Sequence, residues 1–176
     1  MMKKIIIFSI IIGFFSFSCK KQNSTKPKDW HKINKQLIKV NKYLVKEDRD
    51  RIISYIKRKG WNMKESPTGF WYQIYYHGNG DSARNDEIAT INYTIELLDG
   101  TLCYSSDSTG PKIFKIGLSN VVPGLQQAIL LLRQGDKARF IFPPHLAYGL
   151  VGDEKKIPPR SIIVYNLQLI KLQKHK

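Results

Sequence analysis

Apolar positions change their period along this chain, and each change marks an element. Ile5 to Phe15 is a nearly unbroken Ile/Phe run. Ile33, Leu37, Val40 and Leu44 then recur at spacings of four, three and four, the period of a helix. Residues Glu47 to Lys59 predict a second helix. Glu47, Asp48 and Asp50 are acids for its first turn, Lys57, Arg58 and Lys59 are bases for its last, and Gly60 follows as a stop. Ile52, Tyr55 and Ile56 fall on one face of it, with Lys59. Residues 70–77 are aromatic and read as a strand, ended by the turn residues Gly78-Asn79-Gly80-Asp81. From Ile88 to Leu97 the chain alternates, with Ala89, Ile91, Tyr93 and Ile95 on one side: a strand with one buried face. Asp99-Gly100 turns the chain, and Thr101 to Tyr104 begins the return strand.

The period then switches again. Phe114 to Ile116 is short and extended. Pro123-Gly124 opens a helix over Leu125–Leu132, since proline is tolerated in a first turn, and Gly135-Asp136 stops it. Ala138–Phe142 reads as a strand, Pro143–Lys156 as a long loop, and Ile162–Lys171 as a final alternating strand. One short helix among many antiparallel-type strands places the chain in the α+β class, a sheet curling around a helix. No internal repeat is present.

The N-terminal run is not part of that fold. Met1-Met2-Lys3-Lys4 is a basic leader to it, and Ser16-Phe17-Ser18 leads into Cys19, the layout of a secretory signal peptide. The uncharged stretch from Ile5 to Ser18 is shorter than the about 20 apolar residues that span a bilayer. Small Ser18 before Cys19 is similar to a bacterial lipoprotein cleavage site, although Ser16 stands where leucine is usual. Lipidation at Cys19 would leave Lys20 to Asp29 as a polar tether, each buried acyl methylene contributing about 0.8 kcal/mol to anchoring. Lys20-Lys21 after the cysteine is the opposite of an acidic surface-export signal, so a periplasm-facing anchor is expected, with the outer membrane favoured over the inner.

Composition narrows the partners. The chain has 176 residues, is 42% hydrophobic and 24% charged, and carries a formal net charge of +15. That is globular composition. Between Lys20 and Lys59 there are 14 Lys+Arg against 4 Asp+Glu, a net +10, so most of the excess lies in the extension. Such a stretch suits an anionic membrane surface. Nucleic acid is not expected, because no nucleic-acid motif accompanies the charge. With Cys19 acylated, Cys103 stands alone and no intramolecular disulfide can form. His31, His77, His145 and His175 are scattered without partners at ligand spacing, so neither a metal nor another cofactor is expected.

The remaining chemistry-bearing segments are apolar, aromatic and turn-forming: Val121-Val122-Pro123-Gly124-Leu125, Ala147-Tyr148-Gly149 and Ile157-Pro158-Pro159. None supplies a nucleophile or a phosphate cradle. A greasy pocket with one phenol at its lip suits rotation about the bond before a proline, whose barrier is about 18–20 kcal/mol. These segments, with Tyr93, Leu98-Asp99-Gly100-Thr101, Ser105-Ser106, Gly135-Asp136-Lys137-Ala138-Arg139, Pro143 and Tyr165, occur in order from about Ile88 to Leu172. In this the chain resembles the FKBP-type peptidyl-prolyl cis–trans isomerases. The resemblance implies a half-wrapped antiparallel sheet over the 125–132 helix, with a prolyl ring between them. Leu125 would floor the pocket, and Tyr93, Val121, Val122, Ile157 and Tyr165 would wall it. The Val122 N–H and the Tyr148 hydroxyl would hold substrate carbonyls, so Tyr93, Val122 and Tyr148 are the catalytic candidates.

Three departures from the family pattern stand out. Cys103-Tyr104 replaces the usual Phe-Asp, so those two are candidate substrate contacts of altered kind. Tyr104 offers a hydroxyl where a carboxylate is usual, and Cys103 leaves more room than phenylalanine. Lys112 stands where an aromatic often rims the pocket, and Asp153-Glu154-Lys155-Lys156 makes a charged lip. The implied organisation is a signal peptide over 1–18, a basic tether over 19–45, a helix and strand extension over 46–83 and the isomerase domain over 84–173. The expected function is isomerisation of proline-containing exported proteins. The extension resembles that of lipoprotein isomerases linked to gliding motility in Bacteroidetes. The alternative is a catalytically weak binding module or chaperone of the same fold. Oligomeric state is not readable.

Overall fold

A computed structural model of the chain describes residues 30–118 and 121–174. The expected signal peptide over 1–18, Cys19 and the start of the expected tether lie outside the described residues. The chain divides into two compact units, Met1–Ile38 and Lys39–Lys176, and among the described residues every buried core residue belongs to the second. The elements are three helices, α1 (Trp30–Lys59), α2 (Ser106–Thr109) and α3 (Pro123–Ala128). Seven strands accompany them: β1 (Lys64–Glu65), β2 (Trp71–Tyr76), β3 (Ile88–Leu97), β4 (Leu102–Ser105), β5 (Lys112–Lys115), β6 (Lys137–Phe142) and β7 (Ile163–Gln173).

The two helices expected over 33–44 and 47–59 are one. Neither Gly nor Pro interrupts Trp30–Lys59, so the backbone has no cause to break. Lys57, Arg58 and Lys59 do occupy the last turn. Gly60 ends the helix in the left-handed region at φ +65°. Its N–H donates to the Lys57 carbonyl at 3.2 Å, and the Trp61 N–H reaches back to Ile56 O at 3.2 Å. Trp30, Ile33, Leu37 and Ile38 are exposed. Further along, Ile52 and Tyr55 are buried as their shared face predicts, with Asp48 on the same side. Among the described residues no helix is long and apolar enough to cross a membrane.

The strands form one sheet in the order β1-β2-β6-β7-β3-β4, with β5 paired to the first half of β3. Every pairing is antiparallel. The alternation in β3 is observed: Ala89, Ile91, Tyr93 and Ile95 are all buried. Asp99-Gly100 makes the predicted turn into β4, with the Thr101 N–H donating to Asp99 Oδ1 at 2.9 Å. Strands β6 and β7 are buried on both faces where they pair over Phe140–Phe142 and Ile163–Tyr165. Phe140, Phe142, Ile163, Tyr165 and Leu167 join the large inner cluster, while Ile141 and Val164 join a smaller outer one with Ile52, Tyr55, Met63 and Ile162. The period of two in a strand sends neighbours to opposite faces, so helix α1 covers the outer face and α3 the inner.

Helix α3 is shorter than predicted. After Ala128 the chain tightens into a 3₁₀ turn over Ile129–Leu131, and Leu132 is already extended. That tightening lets both Ile129 and Leu132 be fully buried. Gly124 permits the close seating of α3: a Cβ there would stand 2.4 Å from Phe142 Cδ1 and 2.8 Å from Leu146 O. The smallest elements, β1, α2 and a 3₁₀ turn at Pro144–Leu146, carry no periodicity long enough to predict.

Candidate functional site

The inner cluster gathers all nine candidate site residues. Tyr93, Cys103, Leu125, Ile157 and Tyr165 are buried in it, and Tyr104, Val121, Val122 and Tyr148 pack against it half-buried. Tyr93 stacks on Tyr165, ring centroids 5.5 Å apart and 27° between planes. Its N–H donates to Ser106 Oγ at 3.1 Å, and its hydroxyl shares a hydrogen bond with Thr109 Oγ1 at 3.1 Å. Helix α2 thus fixes the Tyr93 ring from both ends. Tyr165 is 1% exposed, and its hydroxyl has no hydrogen-bond partner among protein atoms. The Val122 carbonyl accepts from Leu125 N at 3.0 Å and Gln126 N at 3.3 Å, starting α3.

The phenols are held neutral. Burial pushes the Tyr148 hydroxyl above its ordinary value, with the Asp153 carboxylate and the Tyr93 phenol adding to it. Burial does the same to Tyr165, next to Tyr93 and Tyr148. Tyr104 is pushed up to about 12, chiefly by its hydrogen bond to Asp153. The Cys103 thiol is also raised by burial, and its Sγ lies 3.5 Å from Lys156 O. A thiol held protonated is no nucleophile. The nine side chains themselves are apolar or neutral hydrogen-bonding groups.

Asp153, which the sequence places only in a charged lip, joins the cluster through Tyr104. The sequence leaves Tyr104 to offer its own hydroxyl in place of the usual carboxylate. Instead the Tyr104 hydroxyl donates to Asp153 Oδ2, so a carboxylate returns to this site from the loop. Asp153 Oδ1 accepts three backbone N–H groups, from Lys155 at 3.0 Å, Lys156 at 3.0 Å and Ile157 at 2.7 Å. Burial opposes ionisation of Asp153, but these four donors outweigh it and hold the carboxyl below its usual range. An Asp two to four residues before a run of free N–H groups is a turn signal, and it could have flagged this residue. Its contact with Tyr104 is long-range and left no local mark. Lys112 lies with Nζ 5.4 Å from the Tyr93 ring centroid, and Lys156 Nζ 5.5 Å from that of Tyr104, both in cation–π range.

A single antiparallel sheet holding a short helix against an aromatic cluster defines the FKBP fold. Residues 80–170 match the model of the family described as FKBP-type peptidyl-prolyl cis-trans isomerase. The chain belongs to that family. The probable FKBP-type peptidyl-prolyl cis-trans isomerase FkpA of Neisseria meningitidis serogroup B is 34% identical over 110 residues, 62% of this chain and 40% of that protein. FkpA of Escherichia coli K12 is 33% identical over 126 residues, 71% of this chain and 44% of that protein. The chain thus spans about two fifths of the length of these curated relatives. The crystal structure of FkpA from Escherichia coli superposes with a TM-score of 0.63 at 30% identity, covering 82% of this chain and 64% of the other. That of AtFKBP13 gives 0.61 at 28% identity, covering 64% and 99%.

Proposed function

We propose that this chain is a peptidyl-prolyl cis–trans isomerase acting on proline-containing protein clients. The observation that carries the reading is the Tyr148 hydroxyl, held neutral and half-buried at the edge of the Tyr93–Leu125–Tyr165 cluster. A planar prolyl amide loses its resonance, and much of its polarity, as it twists towards the top of the barrier. An apolar wall formed by Tyr93, Leu125, Ile157 and Tyr165 suits the twisted amide better than the planar one. The Tyr148 hydroxyl and the Val122 N–H are the donors offered to client carbonyls, the Val122 carbonyl being occupied by α3. A donor that fits only the twisted carbonyl stabilises the transition state selectively.

The test is a protease-coupled isomerisation assay on the full chain with peptides varied before the proline. Wild type accelerates exchange above the thermal rate. Tyr148→Phe loses one hydrogen bond of about 1–3 kcal/mol, a fall of about five- to 150-fold in kcat/KM. Val122→Asp places a charge in the apolar wall and abolishes turnover. A folded wild type with no activity on any peptide overturns the reading and leaves a binding module.

The same proposal places the protein in the envelope. The basic leader, the apolar run and Ser18-Cys19 support export and lipidation at Cys19, with Lys20-Lys21 favouring a periplasm-facing anchor. Clients are then exported proteins, including those of gliding or envelope-assembly machinery. Radiolabelled palmitate incorporated by wild type and lost in Cys19→Ser is the expected result; equal labelling of both overturns the anchor.

A further inference from the structure

Tyr148 rides on a loop that is tied down at one place outside the family-matched residues. The loop leaves the 3₁₀ turn at Pro144–Leu146 and rejoins the sheet at Ile163. Along it Gly149, Gly152, Glu154 and Arg160 all adopt left-handed φ, +65°, +76°, +58° and +54°. The Gly149 N–H donates to Pro144 O at 2.8 Å, and the Arg160 N–H donates to Gly149 O at 3.0 Å. The residue after Tyr148 is therefore pinned between Pro144 and Arg160.

Arg160 is held in turn by helix α1. Its Nη2 donates to Asp48 Oδ1 at 3.0 Å, to Glu47 Oε2 at 3.3 Å and to Leu44 O at 3.3 Å. Asp48 is only 5% exposed. Burial pushes its carboxyl up against the pull of Arg160 and Arg51, so this carboxylate is kept in an unfavourable place by its partner. Left-handed φ favours glycine, because an L side chain crowds the carbonyl there. Arg160 keeps a long side chain at such a position, and the side chain reaches three acceptors on another element. Leu44 to Asp48 lie before residue 80, where the family match begins.

We infer that Arg160 is a positioning residue: it transmits the place of helix α1 to the Tyr148 loop, so that the extension is part of the prolyl site. The inference rests on the isomerase reading for its consequence and on the loop geometry for its mechanism. Arg160 does not touch the client. It acts through Gly149 on the direction of the neighbouring hydroxyl, and a misplaced donor is costly even at about 1 Å.

The test uses the full chain with Arg160→Gly, which relieves the backbone while cutting the clamp, and Arg160→Lys, which keeps a charge without the fork. Each is made alone and on Tyr148→Phe. Arg160→Gly is expected to lower kcat/KM about ten- to a hundredfold, Arg160→Lys less, and neither to lower it further once Tyr148 is Phe. Amide exchange at Gly149 is expected to speed up in both. Equal losses with and without the Tyr148 hydroxyl would mean a merely structural role and overturn the inference, as would unchanged activity in the variants. Should Arg160→Gly fail to fold, Arg160→Lys is judged by the same two outcomes. If wild type itself has no activity, the isomerase reading falls and not the clamp; exchange at Gly149 then decides, and an unchanged rate overturns it.

Discussion

The two faces of the sheet do different work with the same strands. On the inner face Phe140, Phe142, Tyr165 and Leu125 form both the core and the ground under the candidate site. On the outer face Ile141, Val164, Ile52 and Tyr55 hold helix α1 to the sheet and bear on the site only through that helix. Neighbouring residues in β6 thus divide, Phe142 to one task and Ile141 to the other. A core shared with a site is constrained twice, by packing and by the shape presented to a ligand. A core without a site is constrained once.

Phe142→Ala should test this most severely. Phe142 contacts Phe70, Phe140 and Tyr165 at centroid distances of 5.7, 5.8 and 6.0 Å, and it meets Gly124 closely. The variant should lose about 3–5 kcal/mol in denaturant unfolding, and kcat/KM should fall in the fraction that remains folded. Ile141→Ala should lose about 2–5 kcal/mol, with kcat/KM falling less in that fraction than in Phe142→Ala, because Ile141 reaches the site only through helix α1. An equal activity loss in the two variants would erase the division between the faces.

Tyr165→Phe sharpens it in the opposite direction. The Tyr165 hydroxyl is buried without a protein partner, and such a group costs about 1–3 kcal/mol. The variant should melt no lower than wild type, and higher if the cost is fully felt. A clear drop in melting temperature would show that the hydroxyl is satisfied in solution.

The smallest effect is at the lip. The folded pKa of Tyr104, about 12, lies above the about 10 of an unfolded tyrosine. Its contact with Asp153 therefore contributes stability that is present below the unfolded value and is lost as pH rises through about 12. Melting temperature followed into alkali should fall more steeply in wild type than in Asp153→Asn. Parallel curves would remove Asp153 from the account.

What the sequence revealed and what it hid follow from the range of each interaction. The alternation at Ala89, Ile91, Tyr93 and Ile95 and the Ile52–Tyr55 face are local signals, and both are observed. The nine candidate residues, seven from the family-like segments and Cys103 and Tyr104 from the departures, also share one cluster. Glu47 and Asp48 misled because acids also mark helix starts. They lie instead in the middle of α1 as partners of Arg160, more than a hundred residues later. The contact of Asp153 with Tyr104 is hidden for the same reason, since it joins strand β4 to a loop that no periodicity relates to it.

The sheet order has a consequence for how the domain is born. β7 is the last of the seven strands in the chain, yet it lies between β6 and β3. It pairs with β3 along its length, from Ile88↔Gln173 to Leu97↔Ile163, and with β6 from Lys137↔Gln168 to Phe142↔Ile163. Until this strand is in place, no pairing of the named strands joins the two halves of the sheet. Pairing of such distant segments is slow to nucleate. Vectorial synthesis therefore delivers an open chain, and the domain closes only when its keystone arrives.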